Sequence, residues 1–342
     1  MTAVELGALR DRPVLVTGAG GFLGAAVVHR LVALGANVRA WLGPAPAPEL
    51  TLPPPGVSIA YGDLAAGALG AVDRELDGVG CVYHLAGPPS AGASFAAPAA
   101  HLRIHAGGTA ALLERCIANR VPRLVYVSSA EVYAPTAAPV REDHARAPRS
   151  PYGIAKLAAE LCLEACAPTG GVAATIVRPF SVYGPGGSPA SLIATVIAAV
   201  LRGEPPALAD LRPVRDYCFV NDVADGIVRA GARTGDTLRA YNLASGRGAS
   251  VLDVARAVLR AAGRGDLAIR ERAADRPPGA LTLALIGDAA RARDELGFDP
   301  ATTLDAGLRS TLEAARRALD RRARSPGALP PADLGPIGED GT

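Results

Sequence analysis

Apolar and polar positions fall into two kinds of run along the first half of the chain. Short runs rich in apolar and β-branched residues read as buried strands: Val14 to Thr17, Val38 to Trp41, Val57 to Tyr61, Cys81 to Leu85, Arg123 to Ser128 and Ala173 to Arg178. Between them lie longer Ala- and Leu-rich segments whose length suits helices, at Phe22 to Leu34, Pro98 to Asn119 and Tyr152 to Ala167. Alternation of this kind predicts βαβ units and a parallel sheet. The stretch from Gly43 to Gly56 holds six prolines and reads as a loop. After Arg178 the pattern loosens. Gly184-Pro185-Gly186-Gly187 marks a turn, a helix runs to Leu201, and shorter mixed elements continue to about Leu319. Residues 321–342, rich in Arg, Pro, Gly and Asp, read as a disordered tail.

Composition removes several function classes. The 342 residues carry 35 basic and 33 acidic side chains, a formal charge of +2, with no Arg-rich block among aromatics, so nucleic acid is not an expected partner. The apolar run from Ser191 to Leu201 spans about half a bilayer, so no membrane span is expected. The N-terminus shows no basic segment followed by an apolar core. Five cysteines form no Cys-x-x-Cys pair; Cys162 and Cys166, one helical turn apart, have no His neighbours and read as helix packing, not as a metal site. A reduced, cytoplasmic protein without metal is the expectation.

Candidate chemistry begins at Thr17-Gly18-Ala19-Gly20-Gly21-Phe22-Leu23-Gly24, at the junction of the first strand with the first helix. In that spacing Gly18 makes the tight turn, Gly21 lets a pyrophosphate approach the backbone, and Gly24 lets helix pack on strand; the helix N-terminus supplies amide donors. A dinucleotide-binding, Rossmann-type doubly wound sheet over residues 1–180 follows, with later segments returning to it. A smaller mixed α/β substrate domain is expected over residues 181–320. The second strand, Val38-Arg39-Ala40-Trp41-Leu42-Gly43, lacks the acid that would hold the adenosine ribose of NAD. Arg39 is a candidate partner for an NADP 2′-phosphate, so NAD is the first expectation and NADP stays open. Asp63, followed by Leu64 after the third strand, suits either the adenine amino group or a helix N-cap.

Of the 35 basic residues 34 are Arg and one is Lys, and Lys156 stands four residues after Tyr152 on a predicted helix. Residues at i and i+4 share a helix face. A lysine ammonium beside a phenol favours the phenolate and draws its pKa toward neutrality. Such a phenolate takes a proton from an alcohol while NAD(P)+ takes the hydride, and Ser129, in Ser128-Ser129-Ala130-Glu131, can hold the same hydroxyl.

At these residues the chain resembles the extended short-chain dehydrogenase/reductase family, in its nucleotide-sugar epimerase, dehydratase and decarboxylase branch. The likeness runs over about residues 12–310. It adds His84-Leu85-Ala86-Gly87, Arg178-Pro179-Phe180-Ser181-Val182-Tyr183-Gly184-Pro185, Arg215-Asp216-Tyr217-Cys218-Phe219-Val220-Asn221-Asp222-Val223 and Tyr241-Asn242-Leu243-Ala244-Ser245-Gly246. The resemblance implies cofactor contacts from Gly18, Gly21, Phe22, Leu23, Gly24, Asp63, Leu64, Leu85, Ala86, Gly87, Tyr152 and Lys156. It implies a nucleotide-diphosphate sugar between the two domains, touched by Ser181, Arg215 and Arg276, and a homodimer paired through the long helices beside the triad. Two positions depart from the family pattern: His105 and Ser181 stand where Asn is usual.

The residues after Ser129 bear on the reaction. Hexose 4,6-dehydratases usually carry Thr-Asp-Glu, whereas this chain has Ser129-Ala130-Glu131. A Ser/Thr-small-Glu pattern resembles the UDP-glucuronate decarboxylases and the GDP-mannose dehydratases, whereas plain 4-epimerases usually carry no acid at the Glu position. Pro148-Arg149-Ser150 before Pro151-Tyr152 also resembles the decarboxylases, while Gly153-Ile154-Ala155-Lys156 looks more like epimerases and dehydratases. The resemblance thus implies decarboxylation of UDP-glucuronate to a UDP-4-keto-pentose or UDP-xylose, with Ser129, Glu131, Tyr152 and Lys156 catalytic. The alternatives are a hexose 4-epimerase or 4,6-dehydratase, an NADPH-dependent 4-ketosugar reductase, and a non-enzymatic NAD(P)-sensing protein.

Overall fold

The computed structural model describes residues 7, 10–44, 51–63, 72–136, 138–233, 235, 238–272 and 284–324. Seven parallel strands form the main sheet: β1 (Val14–Thr17), β2 (Val38–Leu42), β3 (Ser58–Tyr61), β4 (Cys81–His84), β5 (Arg123–Val127), β6 (Ala173–Pro179) and β10 (Arg239–Leu243). Their order is β10-β6-β5-β4-β1-β2-β3. All four residues of β1 and of β4 are buried, as expected of central strands covered on both faces. Chain direction across the sheet reverses between β1 and β4, which opens a crevice at their C-terminal ends. This doubly wound α/β architecture agrees with the one read from the sequence.

Alternate residues along each strand feed two cores. Val14, Val16, Val125 and Val127 pack with α1 (Phe22–Ala33) and α8 (Val220–Ala232). Leu15, Leu124 and Tyr126 pack on the opposite face with α2 (Val72–Leu76), α5 (Gly108–Ala118) and α6 (Pro151–Cys166). The helix expected over Pro98–Asn119 is interrupted. After α3 (Ala91–Ser94) comes α4 (Pro98–His101), then a π-helical turn, Leu102–Gly107, before α5 begins. The wider turn brings His105 inward, where its ring is buried.

The chain leaves the main sheet at Pro179 and enters a second one at β7 (Ser181–Tyr183). There β9 (Val214–Phe219) pairs with β7 and β13 (Ala284–Leu285) in parallel and with β11 (Gly248–Ser250) antiparallel. A minor pair, β8 (Ala207–Leu208) with β12 (Arg270–Glu271), lies apart. A third core gathers α7 (Leu192–Arg202), α9 (Val251–Ala262) and the C-terminal helix, which follows α10 (Ala290–Leu296). That last helix, α11 (Leu304–Arg324), corrects the expected tail at its start: residues 321–324 are helical because α11 runs on beyond its buried Leu308 and Leu312. The rest of the expected tail, 325–342, lies outside the described residues.

Candidate active site

A cleft of about 1760 Å³ opens at the β1–β4 crevice, between the main sheet and the smaller one. One wall is the glycine loop. Gly18 has φ +70°, and a Cβ on Gly24 would stand 2.0 Å from the Gly18 carbonyl oxygen, so neither position accepts a side chain. Gly21 caps α1 without a side-chain hydrogen bond, and no acid stands in the first turn. The first amides of α1 are therefore available to an anion such as a pyrophosphate. Gly18, Gly21, Phe22, Leu23 and Gly24 line the cleft with Leu85, Ala86 and Gly87. Asp63 lines a smaller adjoining cavity of about 170 Å³ with Trp41, Gly62 and Ile104, and is the only carboxylate among the described residues of that lining. Leu64 lies outside the described residues.

Arg39 does not face this site. Its guanidinium donates to the carbonyls of Glu75 (2.7 Å) and Asp77 (2.8 Å), closing the C-terminal end of α2. The strand-two arginine is thus committed elsewhere, and the support it lent to an NADP phosphate falls away.

Ser129, Glu131, Tyr152 and Lys156 line the same cleft as the glycine loop. Ser150 caps α6, accepting from the Gly153 amide at 3.1 Å, and this sets Tyr152 in the first turn, facing inward with Lys156 one turn on. Lys156 Nζ donates to the Val127 carbonyl at 2.8 Å and lies 5.9 Å from the Tyr152 ring centre. Ser129 Oγ accepts from the Glu131 amide at 3.1 Å, which holds both side chains on one short turn after β5.

The electrostatics differ from the sequence expectation. Burial pushes the Tyr152 phenol up to about 12, opposed by its hydrogen bond to Ser129 and reinforced by the Glu131 charge. Burial also brings Lys156 down to about 7, with Glu160 pulling it upward. Desolvation therefore outweighs the expected lowering of Tyr152 by the lysine: in the protein alone Tyr152 rests as the phenol, and Lys156 gives up part of its charge near neutral pH.

Behind the pair lies a row of neutral polar groups. His84 Nδ1 meets Thr17 Oγ1 at 2.7 Å and His84 Nε2 meets Thr109 Oγ1 at 3.0 Å. Burial lowers His84 to about 3 and His105 to about 2. An unfolded histidine takes a proton near pH 6.5, so below that pH the unfolded chain binds protons the native state refuses. Stability is complete above about 6.5 and falls by roughly 2.7 kcal/mol per pH unit for the two groups as pH drops toward 3. Urea midpoints at pH 7, 6 and 5 check this; a midpoint constant over that range would contradict it.

On the wall formed by the second sheet, Ser181 lines the cleft between Phe180 and Val182. Arg215 stands on β9 at the same strand parity as Tyr217 and Phe219, which line the cleft, but it lies one step outside that lining, with Nη1 donating to the Val214 carbonyl at 2.9 Å. Arg276 lies outside the described residues. Sequence reasoning did not single out Asp216 as a site residue. Fully buried, it accepts from Ser245 N and Gly246 N (both 2.8 Å), Ser245 Oγ (2.5 Å) and Gly287 N (3.2 Å), tying two loops to β9. An acid beside an arginine near the start of a strand gave little signal of its burial. Among the described residues no group of three or more His, Cys, Asp or Glu could hold a metal, and no helix is long and apolar enough to cross a membrane.

Comparisons with known proteins bear on this geometry. A UDP-glucose 4-epimerase of Azospirillum brasilense is 32% identical over 338 residues, covering 92% of this chain and 95% of that protein. A dTDP-glucose 4,6-dehydratase of Streptomyces antibioticus is 30% identical, covering 94% and 99%. Among solved structures, MoeE5 in complex with UDP-glucose and NAD is similar with a TM-score of 0.77 and 31% identity, covering 90% and 99%. The family model for the NAD dependent epimerase/dehydratase family matches residues 14–244, and the chain belongs to that family.

Proposed function

We propose that this chain is an NAD-dependent nucleotide-sugar enzyme that oxidises the C4 hydroxyl of a neutral hexose and returns the hydride to it, a 4-epimerase. The observation that carries the reading is the placing of Ser129, Tyr152 and Lys156 in one cleft with the uncapped N-terminus of α1. NAD, when bound, supplies the hydride acceptor and a positive ring. Ser129 and Tyr152 bracket the sugar hydroxyl; Tyr152 Oη takes its proton, and Lys156, fixed on the Val127 carbonyl, stabilises the phenolate. Arg215, on β9 beside the cleft lining, is assigned to the diphosphate, a task suited to a guanidinium fork; Arg276 lies outside the described residues.

A neutral sugar is favoured over glucuronate. Among the described residues Lys156 is the cation lining the Ser129 end of the cleft, and the Glu131 carboxylate lines the same end. Arg149, in the run that resembles the decarboxylases, is exposed and does not line the cleft. A sugar carboxylate would therefore meet a like charge, and decarboxylation ranks behind epimerisation. One observation favours a second reading: Glu131 lines the cleft beside Ser129, and a carboxylate there would serve an elimination by taking a C5 proton, although the buried Ala130 offers no acid for the leaving hydroxyl.

Incubation with UDP-glucose, UDP-N-acetylglucosamine, dTDP-glucose and UDP-glucuronate plus NAD+, in deuterium oxide with products read by NMR, separates these. The C4 epimer without deuterium at C5 is expected. Deuterium at C5 with loss of water turns the reading to elimination, and carbon dioxide from UDP-glucuronate overturns it.

The same reading includes a homodimer. Ile154 and Leu161 on α6 and Leu102 beside it are 49%, 48% and 42% exposed, an apolar face that a second copy would cover. Sedimentation should give twice the chain mass, and a monomer at micromolar concentration would refute this.

A further inference from the structure

Where the chain leaves β10 it turns sharply, with Gly246 at φ +75°, and the amides of Ser245 and Gly246 converge on one point. Successive amides in a turn form a concave nest that suits an anion. Here the anion is the chain's own. Asp216, 0% exposed on β9, accepts from Ser245 N (2.8 Å) and Ser245 Oγ (2.5 Å) on Oδ1. Its Oδ2 accepts from Gly246 N (2.8 Å) and Gly287 N (3.2 Å). All four donors are uncharged. A buried carboxylate held in this way resists displacement, because any shift strips a charge of its donors.

The four bonds join three segments far apart in sequence: β9 in the second sheet, the turn after β10 in the main sheet, and the residues after β13. Side chains alternate along a strand, so Asp216 and Cys218 share one face of β9 while Arg215, Tyr217 and Phe219 share the other. Tyr217 and Phe219 line the cleft, and Ser181, which also lines it, pairs with Tyr217 in register between β7 and β9. Gly287 in turn packs on Phe180, where a Cβ would come within 2.7 Å of the ring, and Phe180 lines the cleft as well. One carboxylate therefore fastens one wall of the cleft to the sheet that carries the other.

Resting on the assignment of this cleft to a sugar nucleotide, we propose that Asp216 is a positioning residue for that ligand: its carboxylate, seated in the Ser245–Gly246 nest, holds β9 where Arg215 and Tyr217 meet the sugar nucleotide. The glycine loop and the Tyr152–Lys156 pair belong to β1, α1 and α6 on the main-sheet wall, so cofactor binding does not depend on the clamp.

Asp216→Asn replaces one acceptor oxygen by an amide that faces the nest's donors. Free cysteines report the result segment by segment. Cys218 stands two residues from Asp216 and is 1% exposed, while Cys81 and Cys116, 3% and 0% exposed, lie in the two cores of the main sheet. Alkylation of the native protein by iodoacetamide, read peptide by peptide in a mass spectrometer, follows the transient openings that expose each thiol. In Asp216→Asn, Cys218 should react about tenfold faster, with Cys81 and Cys116 at wild-type rates. The Kd for UDP-glucose, by calorimetry with NAD+ present, should rise about tenfold, while the Kd for NAD+, followed through Trp41 fluorescence, stays within about twofold. Equal acceleration of all three cysteines, or of none, overturns the proposal, since a general loss of stability treats them alike. Faster Cys218 with unchanged UDP-glucose affinity overturns it too. Should Asp216→Asn fail to fold, Ser245→Ala, which removes only the Oγ bond, decides by the same pattern at about threefold. A wild type that binds none of the sugar nucleotides overturns the proposed function, while the cysteine rates still judge the clamp.

Discussion

Tyr152→Phe is expected to lower turnover of the sugar nucleotide by about 10²–10⁴-fold, the range for a lost general base, while NAD affinity and fold are kept. The ring does the packing: its edge contacts with His101 and His105 involve carbon, and Phe retains them. Only the hydroxyl goes, and with it the atom that Ser129 bonds. Cofactor binding is followed through Trp41, the single tryptophan, which lines the smaller cavity with Asp63. Rates within a few fold of wild type would remove Tyr152 from the reaction. Loss of Trp41 quenching along with activity would mean that the substitution damaged the site as a whole.

Arg178→Ala is expected to cost about 3–5 kcal/mol of stability, the usual penalty for stripping one partner from a buried ion pair. Arg178 is 2% exposed and Glu160 is fully buried. Two parallel bonds join them, Nε to Oε1 at 2.9 Å and Nη2 to Oε2 at 2.7 Å. Nη1 adds bonds to Tyr133 Oη (2.7 Å) and the Glu142 carbonyl (3.1 Å), and Tyr133 Oη donates in turn to Asn242 Oδ1 at 2.7 Å. The network thus joins α6, β6, β10 and the segment before α6. Without the guanidinium, Glu160 keeps, among the described residues, its bond from Arg146 at 3.2 Å. Arg178→Lys should recover little, since an ammonium cannot make the parallel pair. The denaturant midpoint measures both, and an unchanged midpoint for Arg178→Ala would show that Glu160 is satisfied without it.

Much of the framework was legible because its signals are local. β1 was bounded to the residue, and the other five strands read from the sequence to within one residue at each end, since buried parallel strands are short apolar runs. The glycine loop was legible because three glycines at that spacing have few other uses. What escaped depends on groups distant in sequence. β10 is five residues long and looks like a strand only when β6 is beside it. The spacing of Tyr152 and Lys156 was readable, but not how much water the fold removes from them, and burial reversed the expected effect on the phenol. His105 stood out as a departure from the family pattern; the bond of its Nε2 to the Pro88 carbonyl was not legible. Arg39 shows the converse: a guanidinium at a suggestive position is claimed by the carbonyls after α2.

The return of β10 to the main sheet bears on how the chain is made. A polypeptide emerging from the ribosome has six of the seven strands once Pro179 is out, yet β6, an inner strand of the finished sheet, then ends it with an open edge. That edge waits until β7, α7, β9 and α8 have been synthesised before Arg239–Leu243 arrives to close it. An unpaired inner strand is a template for another chain, so this interval is when nascent copies are most prone to associate wrongly. The second sheet is still unfinished at that point, because β11 and β13 follow β10 in the chain, so the main sheet is sealed before the cleft gains its second wall.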